Sequence, residues 1–254
     1  MSRVDALAAH PDLVALWDFQ EPAGEPRVSK GPAPYRLVER AGPVQRVEEG
    51  VLGPYAAHLA EGQWFSIARA ECPLLNIHGP KAQVTVAAWI KRGATATDHC
   101  EAIAGMWDET RKKRQYCLFL NLRIWDSKDQ VCGHVSAVGG PTPGYRYCMD
   151  ASIGATPVPR DRWQFVAFTY DGTYARSYLN GRLDARPGRN PYRYEGGIFD
   201  GGEDGADFTV GGVSRSGEMG NWYTGLIGGL AVFRRALSDA EVERLHRAFP
   251  LPGE

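Results

Sequence analysis

The stretch from Asn121 to Asp150 gathers side chains able to hold a hydroxyl-rich ring. Asn121 and Arg123 supply forked hydrogen-bonding groups, and Trp125, Tyr145 and Tyr147 supply flat faces with polar edges. His134 and Asp150 add an imidazole and a carboxylate. Aromatic faces stack on the C–H surface of a sugar, while amide and guanidinium groups bond its hydroxyls. By alternation Arg176 and Tyr178 oppose Leu179 and join the set as occupants of the same face. Arg114 closes the basic run Arg111-Lys112-Lys113-Arg114, which reads as an exposed turn or as a patch for anionic sugars. Asp98-His99-Cys100 with His134 would be the metal-ligand candidates. Adjacent strand positions point to opposite faces, so such neighbours seldom chelate together and no metal is expected. Glu203-Asp204-Gly205-Ala206-Asp207 is acidic but Gly-rich, which fits a solvated loop.

Composition bounds what can position these groups. The 254 residues are 43% hydrophobic and 23% charged, enough for one large domain with its own core. Twenty-nine basic residues face thirty acidic ones, so the positive excess that grips nucleic acid through counterion release is missing. The same balance disfavours an anionic membrane surface, and no segment approaches a membrane span of ~20 apolar residues. The stretch from Met1 shows no apolar signal-peptide region, and the five cysteines, Cys72, Cys100, Cys117, Cys132 and Cys148, form no paired motif. Reduced thiols in a cytoplasmic protein are expected, or an extracellular protein if a leader was removed, with Cys132 and Cys148 the one pair worth testing for a bridge. Oligomeric state stays open.

Strand patterns dominate the chain. A short helix is expected over Arg3 to His10, then strands over 13–19, 35–39, 63–68, 83–90, 116–123, 163–170, 174–179, 208–211 and 226–233. In the 116–123 strand Leu118, Leu120 and Leu122 share one face, leaving Cys117, Phe119, Asn121 and Arg123 on the other. Asp171-Gly172 and Asn180-Gly181 are tight-turn signals. Asp126 to Pro159, with Gly139-Gly140-Pro141-Thr142-Pro143-Gly144 inside it, reads as one long functional loop. Ser238 and Glu241 form a capping box, and Val242, Leu245 and Phe249 form the apolar stripe of a final helix. Short strands, turn dipeptides and one terminal helix define an all-β antiparallel sandwich spanning residues 1–254 as a single domain.

Three stretches carry a resemblance. Trp163-Gln164-Phe165-Val166-Ala167-Phe168-Thr169-Tyr170-Asp171-Gly172 with Tyr178-Leu179-Asn180-Gly181, then Phe233-Arg234-Arg235-Ala236-Leu237-Ser238, and Leu13-Val14-Ala15-Leu16-Trp17-Asp18-Phe19 resemble the laminin-G-like, concanavalin A-like lectin/glucanase superfamily. The resemblance implies a jelly-roll sandwich with a concave sheet as the ligand groove. It does not imply one activity, because the fold hosts lectins, glycosidases, lyases and adhesion modules. The family's acidic segments are replaced by Val28-Ser29-Lys30-Gly31 and Ile227-Gly228-Gly229, which removes the oxygen ligands calcium needs. A structural calcium is therefore disfavoured, and no cofactor is expected. The paired carboxylates of a retaining glucanase are missing as well. Gln130-Val131-Cys132-Gly133-His134 resembles a lyase strand, in which His134 with Tyr145 or Tyr147 would move a proton alpha to a carboxylate. Three readings stay open: a saccharide-binding module with its ligand in the groove, a polysaccharide lyase, and a protein-interaction domain without a sugar site.

Overall fold

The computed structural model of the chain describes residues 2–253. Two antiparallel sheets stack into a jelly-roll sandwich. One sheet is covered by helices. Its strands lie in the order Arg182–Leu183, Tyr174–Leu179, Trp163–Tyr170, Val84–Arg92, Gly225–Phe233, Ala56–Leu59 and Gln45–Val47, with Leu13–Trp17 pairing along Gly225–Phe233. The other is covered by a loop. Its order is Ala151–Pro157, Gln130–Val135, Lys113–Leu120, Glu101–Asp108, Phe208–Val210, Trp64–Ile67, Arg36–Arg40 and Arg27–Val28. A small hairpin, Val213–Arg215 and Glu218–Gly220, attaches beside Glu101–Asp108.

The core between the sheets follows the alternation. Tyr116, Leu118 and Leu120 point inward with Val131 and Val135, opposite Val166, Phe168 and Tyr170. Trp17 and Phe208 stack across the gap with centroids 5.5 Å apart and planes 18° apart. Each fully buried aromatic contributes on the order of 1.5–3 kcal/mol. Gly133 occupies the inward position between Val131 and Val135, where a Cβ would collide with the Phe168 ring. Gly133→Ala is therefore expected to lower stability by about 1–3 kcal/mol through overpacking. The melting temperature reads this, and an unchanged value would show that Phe168 can yield.

Outside the helix-covered sheet, the Asp239–Ala248 helix packs Val242 and Leu245, with Phe249 just past its end, over Trp89 and Phe165. Trp89 and Phe249 meet edge to face at 5.3 Å. The expected capping box forms, and the Ser238 backbone N–H donates to Glu241 Oε2 at 2.8 Å.

Two expectations are corrected. The 126–159 segment is not one loop: it contains the paired strands Gln130–Val135 and Ala151–Pro157, joined by the irregular stretch 136–150. Glycine at the inward position 133, with Gln130 and His134 both buried, disguised the alternation. The basic run is not all turn. Lys112 stands exposed in the turn with φ 60°, but Arg114 is buried in the sheet.

Candidate functional site

A third apolar cluster lies on the outer face of the loop-covered sheet. Trp107, Cys117, Phe119, Cys132 and Ile153 form it, and Leu122 and Cys148 cover it from the flanking loops. Where the cover is incomplete a cavity of about 190 Å³ opens, with Trp107, Phe119 and His134 among the side chains that line it. Arg114, Arg123, Arg215, Glu109, Asn221 and Tyr147 bring polar and aromatic groups to its walls. It holds about six waters at ~30 Å³ each, so it fits part of an oligomer better than a large ligand. Trp107 also borders a second hollow of about 350 Å³, where Trp64, Ser66, Thr209, Arg40 and Asp207 converge. Trp107, itself only 2% exposed, is the one residue that lines both hollows. A larger apolar cleft, about 460 Å³, lies between the two helices on the opposite side. Leu7, Phe233, Leu245 and Phe249 form its apolar floor, with Arg3, His10, Glu241 and Arg244 also lining it.

His134 is wedged in the floor. Its ring lies 4.9 Å from that of Trp107 and 5.5 Å from that of Phe119. Nδ1 is 3.0 Å from the Asp150 carbonyl, an acceptor only, so Nδ1 carries the proton. Nε2 is then the ring's acceptor. Burial, reinforced by the Arg114 charge, holds the imidazole down at about 4 against the pull of the Asp150 carbonyl. His134 is thus neutral at neutral pH. It can accept a hydrogen bond, but it is a weak base for carbon acids, since efficient bases titrate near the working pH.

The loop above the cavity is held from inside. Asp150 accepts from Thr142 Oγ1 at 2.5 Å and from the Tyr192 hydroxyl at 2.9 Å, and Thr142 Oγ1 accepts from the Met149 N–H at 2.8 Å. Three of the five large hydrophobic residues exposed among the described residues, Val138, Tyr145 and Tyr147, sit on this one loop. Tyr147 reaches the cavity, while Tyr145 meets Trp125 edge to face at 5.9 Å. Trp125 donates to the Met149 carbonyl at 3.4 Å and carries the Arg189 guanidinium 4.1 Å over its ring, beside the cavity.

The expected set therefore divides. Arg114, Arg123, His134 and Tyr147 share the cavity. Asp150 braces it, and Trp125 and Tyr145 flank it. Asn121 does not face it. Its side chain is fully buried, donates to the His99 carbonyl at 2.8 Å and accepts from the Asp129 N–H at 3.1 Å. It pins a connection in which Asn121, Arg123, Trp125, Asp126 and Asp129 all have positive φ between 53° and 71°. Such backbone costs on the order of 1 kcal/mol or more per residue and persists only when neighbours impose it. Arg176 and Tyr178 do oppose Leu179, but on the other sheet. Arg176 pairs with Asp171 at 2.5 Å, and Tyr178 lies under the final helix, donating to Asp239 at 2.8 Å. Alternation assigns a face of a strand; it does not say which sheet the strand joins.

Glu109, Arg215, Asn221, Trp107, Trp64 and Trp222 belong to the site region without having been singled out in the sequence. Trp64 and Trp222 are in contact at 5.5 Å. Phe119 carried a signal, because it shares the non-leucine face of its strand with Cys117. The other residues come from four separate segments, with no common spacing. All five cysteines are free thiols, so Cys132 and Cys148 are not bridged. Among the described residues no group of three or more His, Cys, Asp or Glu side chains could hold a metal. No described helix is long and apolar enough to cross a membrane.

The sandwich and its loop-covered face place the protein by class, and sequence comparison places it by family. The Laminin_G_3 model of the concanavalin A-like lectin/glucanases superfamily matches residues 68–243, and the chain belongs to that superfamily. The Leu13–Trp17 strand lies ahead of the matched residues yet pairs with Gly225–Phe233. Among solved structures, domain 4 of AbnA, a GH43 extracellular arabinanase from Geobacillus stearothermophilus, in complex with arabinotriose, is similar with TM-score 0.60 and 18% identity. The match covers 92% of this chain and 98% of that one. Trypanosoma rangeli sialidase in complex with 2,3-difluorosialic acid matches with TM-score 0.60 and 13% identity, over 94% of this chain and 33% of that one. The botulinum neurotoxin serotype G binding domain matches with TM-score 0.58 and 12% identity, over 92% and 50%. The chain thus spans a third of the sialidase and half of the toxin domain. At these identities the likeness is one of fold. Comparison with curated proteins finds no match.

Proposed function

We propose that the protein is a saccharide-binding module whose ligand lies in the cavity on the loop-covered sheet. The observation that carries this reading is the cavity itself: an aromatic floor of Trp107 and Phe119, forked polar groups on the walls, and an exposed Tyr147 at the rim. That combination suits a ring with apolar faces and hydroxyl edges. The arabinanase domain, of the same fold and nearly the same extent, is in complex with arabinotriose, which supports the class of ligand.

Tyr147→Ala tests it, because the side chain is about half exposed and its loss leaves the core intact. On a glycan array followed by calorimetry with the best ligand, the variant is expected to bind about tenfold more weakly, the equivalent of one stacking contact of ~1–1.5 kcal/mol. Its melting temperature is expected to match the parent's. Array binding unaffected by this change and by Arg123→Ala would remove the site.

A lyase is the second reading, favoured by His134, Tyr147 and Arg123 lining one cavity. Incubation with uronate polymers, followed at the unsaturated-product ultraviolet band, decides it; no absorbance gain across a panel would end it.

A further inference from the structure

We propose that the cavity beside Trp107 selects anionic saccharides, taking a carboxylate or sulfate-ester group of the sugar among Arg114, Arg123 and Arg215. This rests on the saccharide-binding reading above and adds the chemical class of the ligand.

The charge balance of the cavity carries it. Three guanidinium groups line it against one carboxylate, Glu109. That carboxylate is already engaged: its Oε1 accepts from Trp107 Nε1 at 3.3 Å and from Asn221 Nδ2 at 3.4 Å. Its Oε2 lies 3.8 Å from Arg114, outside hydrogen-bonding distance. Arg215 donates to the Asn221 amide oxygen at 2.7 Å and has no carboxylate partner among the described residues. Arg123 lines the cavity with no hydrogen bond or ion pair to any described residue. Arg114 is 4% exposed, and its Nε is buried with no acceptor. A buried N–H of a permanent cation is costly to leave unmet, so an incoming anion gains what the protein has left open. Guanidinium groups also match the paired oxygens of a carboxylate or sulfate.

The hollow on the other side of Trp107 lacks this excess. Arg40 and Arg111 there face Asp108 and Asp207, and Arg111 pairs with Asp108 at 2.7 Å. Of the two hollows, only the one beside Arg123 carries an excess of positive charge. The ligand that fits places its acidic unit there.

Calorimetry with the full chain would compare trigalacturonate, its methyl ester, a sulfated galacto-oligosaccharide and neutral arabinotriose. The acid is expected to bind at least about tenfold tighter than its ester, with the advantage shrinking as salt rises. Arg123→Gln is expected to close the gap between acid and ester to within about threefold, with an unchanged circular dichroism spectrum. Whether trigalacturonate or the sulfated ligand binds tighter identifies which anion the arginines take. Equal binding of acid and ester, both lost in Tyr147→Ala, would overturn the anion assignment and leave the saccharide site standing. An acid preference that survives Arg123→Gln would also overturn it. Binding of none of the four would remove both this proposal and the reading beneath it.

Discussion

Glu101→Gln is expected to destabilise the fold by about 3–5 kcal/mol, the range for removing one partner of a buried ion pair. Glu101 begins a strand of one sheet and Arg92 ends a strand of the other, and the 93–100 connection crosses between them. Arg92 donates to both Glu101 oxygens, at 3.0 and 2.6 Å, and to Asp129 at 2.6 Å. Arg160 adds bonds to Glu101 at 3.0 Å and to Asp129 at 3.2 Å. Both side chains of the Arg92–Glu101 pair are only 1% exposed. Burial opposes the charge on Arg92, and the carboxylates outweigh it, raising its pKa. Burial likewise opposes the Asp129 carboxylate, and the Arg92 and Arg160 guanidinium groups outweigh that and lower it. Glutamine would leave the buried Arg92 and the partly buried Arg160 facing one carboxylate. Urea unfolding at neutral pH reads the loss as a shift of midpoint at constant slope. A loss below about 1 kcal/mol would show that the arginines find other acceptors. Adding Arg92→Met to Glu101→Gln is expected to recover part of the loss, because the uncompensated charge goes with it.

The second large effect is acid-linked. His134 titrates near 4 in the folded chain, against 6.5 for an ordinary histidine. Between those values the unfolded chain binds a proton that the folded chain refuses. Stability therefore rises with pH across this window. It is unaffected by His134 above about 6.5 and is lost progressively as pH falls toward 4. The difference is about 3 kcal/mol. His134→Gln has no imidazole to titrate, so its stability is expected to fall less between pH 7 and pH 4 than the parent's. Urea midpoints for both proteins at several pH values give the comparison. Equal losses in the two would mean that the imidazole accepts its proton in place.

The alternating patterns of 84–90, 116–120 and 163–170 specified strands, and the Ser238–Glu241 box specified the final helix, because those signals are local. The Trp163-to-Gly181 hairpin and the Phe233-to-Ser238 stretch identified the superfamily for the same reason: neighbours in sequence remain neighbours in space. The Gln130–Val135 strand was harder to read, because glycine fills the inward position opposite Phe168 and the polar Gln130 and His134 fill two outward ones. Of the cavity, the sequence marked Arg114, Arg123, His134 and Tyr147, which lie within one stretch of neighbouring strands and their connections.

Sheet membership was decided only in the folded chain. Arg176 and Tyr178 had the right parity and the wrong sheet, and Asn121 lies just past the end of the strand expected to hold it, where it plugs a strained turn. Glu109, Arg215 and Asn221 meet through the small hairpin beside Glu101–Asp108, and Arg92, Glu101, Asp129 and Arg160 meet where the sheets are tied together. Periodicity fixes which way a side chain points from its own strand. Which strands lie side by side, and which charges are sealed off together, depends on long-range packing that no spacing in the sequence records.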